Sequence, residues 1–198
     1  MSKWSRRIPG PNVAIEVDFA QVEGVIAELK STEGEIGKAI SYALRRTATS
    51  LAKMSRMRLQ SELAVQKANT LRRRMKTMKA RIKGADSAKV IGLWYGLNDL
   101  PVSAFKYKRM PKEYPGGATF QQHEFDGAFV AKIGKGKRSI YKRSGSGRFP
   151  LIEQTLPIKD RADRILEDEI FPEATRIFFN NLMHDLKYRA GLRDKGKA

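Results

Sequence analysis

From residue 38 to residue 63 the chain has neither proline nor glycine, and Ile36, Ile40, Leu44, Thr47, Leu51 and Met54 recur at steps of three and four. That period places the six side chains on one face and predicts a long amphipathic helix. Thr32, followed three residues later by Glu35, supplies a capping box at its start. Run continuously from residue 35 to residue 63, such a helix would be ~43 Å long. A rod of that length with one apolar face has to be covered by other parts of the chain, which restricts the fold more than any other feature does.

The rest of the sequence supplies candidates for that cover. Val13, Ile15, Val17 and Phe19 alternate with Ala14, Glu16 and Asp18 and predict a short half-buried strand. Asp18 is placed to cap a helix through Val22, Val25, Ile26 and Leu29. Asn69 and Thr70 read as the cap of a short helix, and residues 73–82 as that helix leading into a strand. After a turn at Gly84, Asp86 and Ser87, the β-branched and aromatic run from Lys89 to Leu97 predicts a buried strand. Pro111, Pro115, Gly116, Gly117 and Gly127 predict a long loop over residues 109–127.

Strands follow at residues 128–133 and 139–143, joined by hairpin-like links at 134–137 and 144–147, and Pro150 and Pro157 favour an extended chain from Phe149 to Leu156. A second long helix is expected from Lys159 to Ala190, with Leu166, Ile170, Ala174, Phe178, Leu182 and Leu186 at steps of four. Pro172 predicts a kink or restart within it, and Gly191 its stop. The expected class is α+β: long N-terminal and C-terminal helices packed on a mainly antiparallel sheet, with hairpin and long-loop extensions. One domain over residues 1–198 is expected, in sections 1–83, 84–157 and 158–198.

The formal charge of +18 is concentrated. Residues 45–83 hold 13 basic groups and one acid, Glu62, and residues 102–148 hold 11 basic groups and 3 acids. Elsewhere acids and bases nearly balance. Two basic surfaces on a neutral body suggest a polyanionic or acidic partner. The candidate contacts are Arg72, Arg73, Arg74, Lys76, Lys79, Arg81, Lys83, Lys135, Lys137 and Arg138. Phosphate contact through such residues needs no reading of bases. Trp4, Trp94 and Tyr95 are the candidates for base stacking, although Trp94 and Tyr95 fall in an apolar run that reads as core.

Chemistry is hard to find. The absence of cysteine removes disulfides, thiolate zinc sites and cysteine nucleophiles. His123 reads as a loop residue and His184 as a helix-face residue, with no carboxylate at ligand spacing. The run Gly134 to Ser139 fails as a phosphate loop, because Ala131 stands where its first glycine belongs and Arg138 replaces the magnesium-binding hydroxyl. Glu167, Asp168 and Glu169 are consecutive, so on a helix they diverge by about 100° each and do not converge on an ion. No enzyme, metal or cofactor is expected. The basic start is followed by Pro9, Gly10, Pro11 and Asn12 where a signal peptide needs an apolar core, and no apolar run is long enough for a membrane helix. A soluble, unsecreted protein without a membrane partner is expected.

At residues 127–153 three short segments stand out: Gly-Ala-Phe-Val-Ala-Lys-Ile-Gly, Ser-Ile-Tyr-Lys-Arg-Ser-Gly and Arg-Phe-Pro-Leu-Ile-Glu. Together with the long helices they resemble the bacteriophage minor tail protein Z family, within the wider group of tail-completion and head–tail joining components. The matching positions are Gly127, Ala128, Phe129, Lys142, Arg143, Gly145, Arg148, Pro150, Ile152 and Glu153. The chain departs from the family pattern in having Leu151 and Ile152 where a shorter Pro-Ile step is usual.

The resemblance implies a structural virion protein made in the bacterial host cytoplasm and placed in the neck at the head-proximal end of the tail. It would form a homo-oligomeric ring, sixfold to match the tube, between tail terminator and head–tail connector proteins, with phage double-stranded DNA passing through. DNA must slide there, so most of the cations from Arg72 to Lys83 are expected to face protein partners or the ring's outer or end surface. The alternatives are a sequence-nonspecific nucleic-acid-binding protein and another tail or baseplate component.

Overall fold

The computed structural model describes residues 12–14, 27, 32–81, 89–107, 110–133 and 136–195. In order, the elements are β1 (Asn12–Ala14), α1 (Glu33–Glu62), α2 (Ala68–Arg72), β2 (Met75–Arg81), β3 (Lys89–Tyr95), β4 (Leu100–Pro101) and a 3-10 turn (Val102–Ala104). Next come β5 (Lys112–Tyr114), β6 (Gly117–Phe120), β7 (His123–Asp126), β8 (Ala128–Lys132), β9 (Arg138–Arg143), β10 (Leu151–Glu153) and β11 (Thr155–Leu156). The chain closes with α3 (Lys159–Ile165), a π-helical segment (Leu166–Ile170) and α4 (Glu173–Asp194). The class is α+β, and every pairing between the named strands is antiparallel. Two compact units are present: Met1–Arg56, Arg74–Gly96 and Arg164–Ala198 form the first, and Met57–Arg73 and Leu97–Asp163 the second.

In the first unit α1 begins with the expected capping box. The Glu35 N–H donates to Thr32 Oγ1 (3.3 Å) and the Thr32 N–H donates to Glu35 Oε2 (2.8 Å). The bond from the Thr32 backbone is the main reason the Glu35 carboxyl is held below its ordinary range. Ala39, Ile40, Ala43 and Leu44 pack on Phe178, Leu182 and Leu186 of α4, with Ile36 and Phe179 at the border. Each fully buried leucine there contributes about 1.5–3 kcal/mol.

The buried polar groups are matched. Asn181 Nδ2 donates to Thr47 Oγ1 (3.1 Å), and the Ser55 hydroxyl bonds Leu51 O (2.7 Å) and the Tyr95 hydroxyl (2.8 Å). Burial raises the Tyr95 phenol above its usual range. Strand β3 lies between β1 and β2, so the run from Lys89 is a central strand and Tyr95 is core.

Three helix expectations need correction or bounding. Asn69 and Thr70 lie inside α2; the cap is Lys67, whose extended backbone (φ −109°, ψ 122°) sets the start without a side-chain bond. Gly191 does not end α4, which continues to Asp194 while Arg193 reaches Glu35 at 3.1 Å. The expected restart at Pro172 is present: α3 gives way to the π-helical segment, and Pro172 stands at the N-terminus of α4. The expected helix over residues 18–29 and the turn at Gly84, Asp86 and Ser87 lie outside the described residues, Ala27 excepted.

In the second unit the chain reverses after α1 through Ala64 (φ 52°). Val65 then bridges Phe105, the Gln66 N–H donates to Ala104 O (2.8 Å), and the Lys106 N–H donates to Ala64 O (2.7 Å). The long loop expected at 109–127 is instead the antiparallel meander β5–β6–β7, and His123 is a strand residue paired with Phe120. The breakers mark turns rather than a loop: Pro115 and Gly116 (φ 100°) join β5 to β6, and Gln121 (φ 58°) with Gln122 joins β6 to β7.

Tyr114, Gly117 and Asp126 share one row of the meander, and the tyrosine ring crosses the glycine to donate to Asp126 Oδ1 (2.6 Å). A Cβ on Gly117 would lie 2.5 Å from the Tyr114 oxygen, so only glycine permits the crossing. Donation to Asp126 pushes the Tyr114 phenol up to about 12.

Candidate functional site

The positions carrying the family resemblance converge on the sheet β8–β9–β10 in the second unit. Lys142 of β9 stands opposite Ala128 of β8 and Ile152 of β10, while Tyr141 stands opposite Phe129 and Glu153. Alternation along a strand therefore puts Ala128, Lys142 and Ile152 on one face and Phe129, Tyr141 and Glu153 on the other.

Gly127 is the single residue between β7 and β8, at φ 67°, and its N–H donates to Gly116 O (2.7 Å). Its requirement is conformational, since a Cβ would meet nothing nearer than Lys142 Cε at 3.6 Å. An L-residue forced into the left-handed region there costs about 1–2 kcal/mol.

Glu153 holds the sheet to its surroundings. Its Oε1 accepts from Ser139 Oγ (2.6 Å), a fully buried hydroxyl, and from the Ser103 N–H in the 3-10 turn (3.1 Å). The Tyr107 and Tyr141 phenols are raised, first by burial and then by the charge of Glu153. Three cations of this region lie over aromatic rings. Arg143 lies over Phe129 (5.9 Å), Lys137 over Tyr107 (5.1 Å) and Arg148 over Phe149 (5.9 Å).

The Tyr107 hydroxyl donates to the Arg138 carbonyl, and the Arg138 side chain is exposed. The Ser144 N–H donates to Pro150 O (3.1 Å), closing the exposed segment that contains Gly145. Phe149 and Ile152 are 70% and 54% exposed, so apolar surface accompanies the cations.

The basic tract expected to act as one block belongs to both units. Arg72 and Arg73 end α2 in the second unit and are exposed. Arg74 to Arg81 belong to the first unit, where Arg74 O accepts from the Gly96 N–H (2.7 Å) and Lys76 lies over the Trp94 ring (5.7 Å). Lys79 and Arg81 sit in β2 opposite Ile91 and Lys89. Lys83, Lys135 and Trp4 lie outside the described residues. Glu167, Asp168 and Glu169 are exposed on the π-helical segment, and His184 is exposed on α4.

Two sets of residues were missed as site candidates from sequence. Ser103 and Glu113 give no motif; Glu113 Oε1 accepts the Val130 N–H (2.6 Å) at β8, a contact between strands that sequence spacing does not announce. The other set is the cations of α1: Arg45, Arg46, Lys53, Arg56 and Arg58 enter the charge of residues 45–83 only as a sum, without helical phase, and Lys38 lies outside that range.

No protein-family model, curated protein or solved structure matches the chain. Among the described residues no helix is long and apolar enough to cross a membrane.

Proposed function

We propose that the chain is a structural component of a bacteriophage tail, a tail-completion or neck ring subunit at the head-proximal end that helps join tail to head and forms part of the DNA passage. The observation that carries this reading is the interdependence of the motif positions. Gly127 makes the turn into β8, Phe129 receives Arg143, and Glu153 binds Ser139. Residues that resemble one family across 127–153 thus serve one shared sheet. On this reading the partners are further copies of the chain in a sixfold ring, the tail terminator and connector proteins, and double-stranded DNA.

Adding the purified chain to tails that lack it, followed by electron microscopy, tests the reading. The expected result is ring density at the upper end of the tail, with sixfold averaging improving it. Chains that form no ring and do not join the tail would overturn it.

A further inference from the structure

Helix α1 carries a second feature on the side opposite its core. From Ile36 to Ser61 it contains no Asp or Glu, yet it carries Lys38, Arg45, Arg46, Lys53, Arg56 and Arg58. The first five belong to the first unit. At about 100° per residue, Lys38, Arg45, Arg46, Lys53 and Arg56 fall within an arc of about 100° that also contains Tyr42 and Thr49. Ile40, Ala43, Leu44, Ala48 and Leu51, which are buried, lie on the other side. Lys38, Arg45, Arg46 and Lys53 are exposed and Arg56 is half-buried. Among the described residues no carboxylate pairs with any of the five. Arg46 alone is held locally, with its guanidinium over the Tyr42 ring (5.6 Å) and donating to the Tyr42 hydroxyl (3.2 Å).

We infer that this face of α1 binds the phosphate backbone of double-stranded DNA without reading sequence. From Lys38 to Arg56 the cations cover ~27 Å of helix axis, about the rise of eight base pairs of duplex. An acid-free row of that length matches a regular polyanion. A protein partner is less well suited, because protein interfaces centre on apolar or aromatic anchors and are depleted of charge at the core. Within this arc Tyr42 is the one large apolar side chain, 37% exposed and already engaged by Arg46. The inference does not rest on the neck reading, since it concerns the free chain.

The test is binding of the full chain to two labelled duplexes of unrelated sequence, each about 16 base pairs, followed by fluorescence anisotropy across a salt series. Equal affinity for both duplexes is expected, with a log–log salt slope of about −4. The triple variant Lys38→Gln, Arg45→Gln, Lys53→Gln should flatten that slope by about 2 to 3 and weaken binding about a hundredfold at 0.1 M salt. Glutamine is a comparable helix former, so circular dichroism should be unchanged; if it changes, the single variant Arg45→Gln reads the same effect as about one unit of slope.

The single variant Lys159→Gln, at an exposed position of α3 in the second unit, should leave the slope alone. An unchanged slope in the α1 variants would overturn the inference. So would tighter binding of poly-glutamate than of duplex through the same three cations, which would assign the face to an acidic protein. Failure to join tails leaves this result standing, and loss of DNA binding leaves tail assembly to be judged by microscopy.

Discussion

The cations of α1 and those of the β8–β10 region come from the same kind of sequence and are used differently. Around the sheet, Arg143, Lys137 and Arg148 each cover an aromatic ring, so part of their charge serves the fold. On α1, among the described residues, only Arg46 of the five does so, and the others leave the side of the helix opposite its core. Net charge does not distinguish these uses. What separates them is whether an aromatic residue lies within reach of each cation, which depends on strand register in one region and helical phase in the other.

The largest loss should come from beneath the helix. Leu44→Ala, at a position 1% exposed, should cost 2–5 kcal/mol in denaturant unfolding, roughly the range for a buried leucine. The salt slope for DNA should not change, because the exposed cations stay in place. Next comes Glu153→Ala, which strands the buried Ser139 hydroxyl and frees the Ser103 N–H; a loss of about 2 kcal/mol is expected by the same measurement. A loss well under half of that would mean Glu153 does not hold the sheet.

The direct contrast is smaller. Arg143→Gln should cost about 0.5–1 kcal/mol through its lost ring contact, while Arg45→Gln should change stability by less than about 0.5 kcal/mol. Equal effects would erase the distinction between the regions.

The smallest effect appears only in alkali. The Tyr114 phenol is raised above the unfolded value by Asp126, so its contribution is complete below about pH 10 and is lost as pH rises through the folded value of about 12. A tyrosinate absorbance titration should show one late phenol that returns toward the ordinary range in Asp126→Asn. No shift in that variant would remove Asp126 as the cause.

The long helices were legible because a period of 3.6 accumulates over many residues: five apolar positions and Thr47, from Ile36 to Met54, agree on one face. Strands β5, β6 and β7 have three or four residues each, too few to establish an alternation, so their turn residues read as a loop. The motif residues from Gly127 to Glu153 were found as a group, but their links were hidden. Glu153 meets Ser103 across 50 positions, and nothing local specifies that partner. The cations of α1 were visible as composition, yet summing charge over residues 45–83 discards the angle at which each side chain leaves the helix. That angle separates a basic face from a merely basic segment.

The π-helical segment at Leu166–Ile170 bears on how the closing helix keeps its phase. Six apolar residues from Leu166 to Leu186 recur at steps of four, and on a uniform α-helix each step would rotate the row by about 40°. Continued over the whole row, that rotation would carry its ends to different sides of the helix. A wider turn rotates less per residue and takes back part of the drift. Leu166, Ile170, Ala174, Phe178, Leu182 and Leu186 are all buried. The segment takes up the drift of the first step, Leu166 to Ile170, before the helix restarts after Pro172.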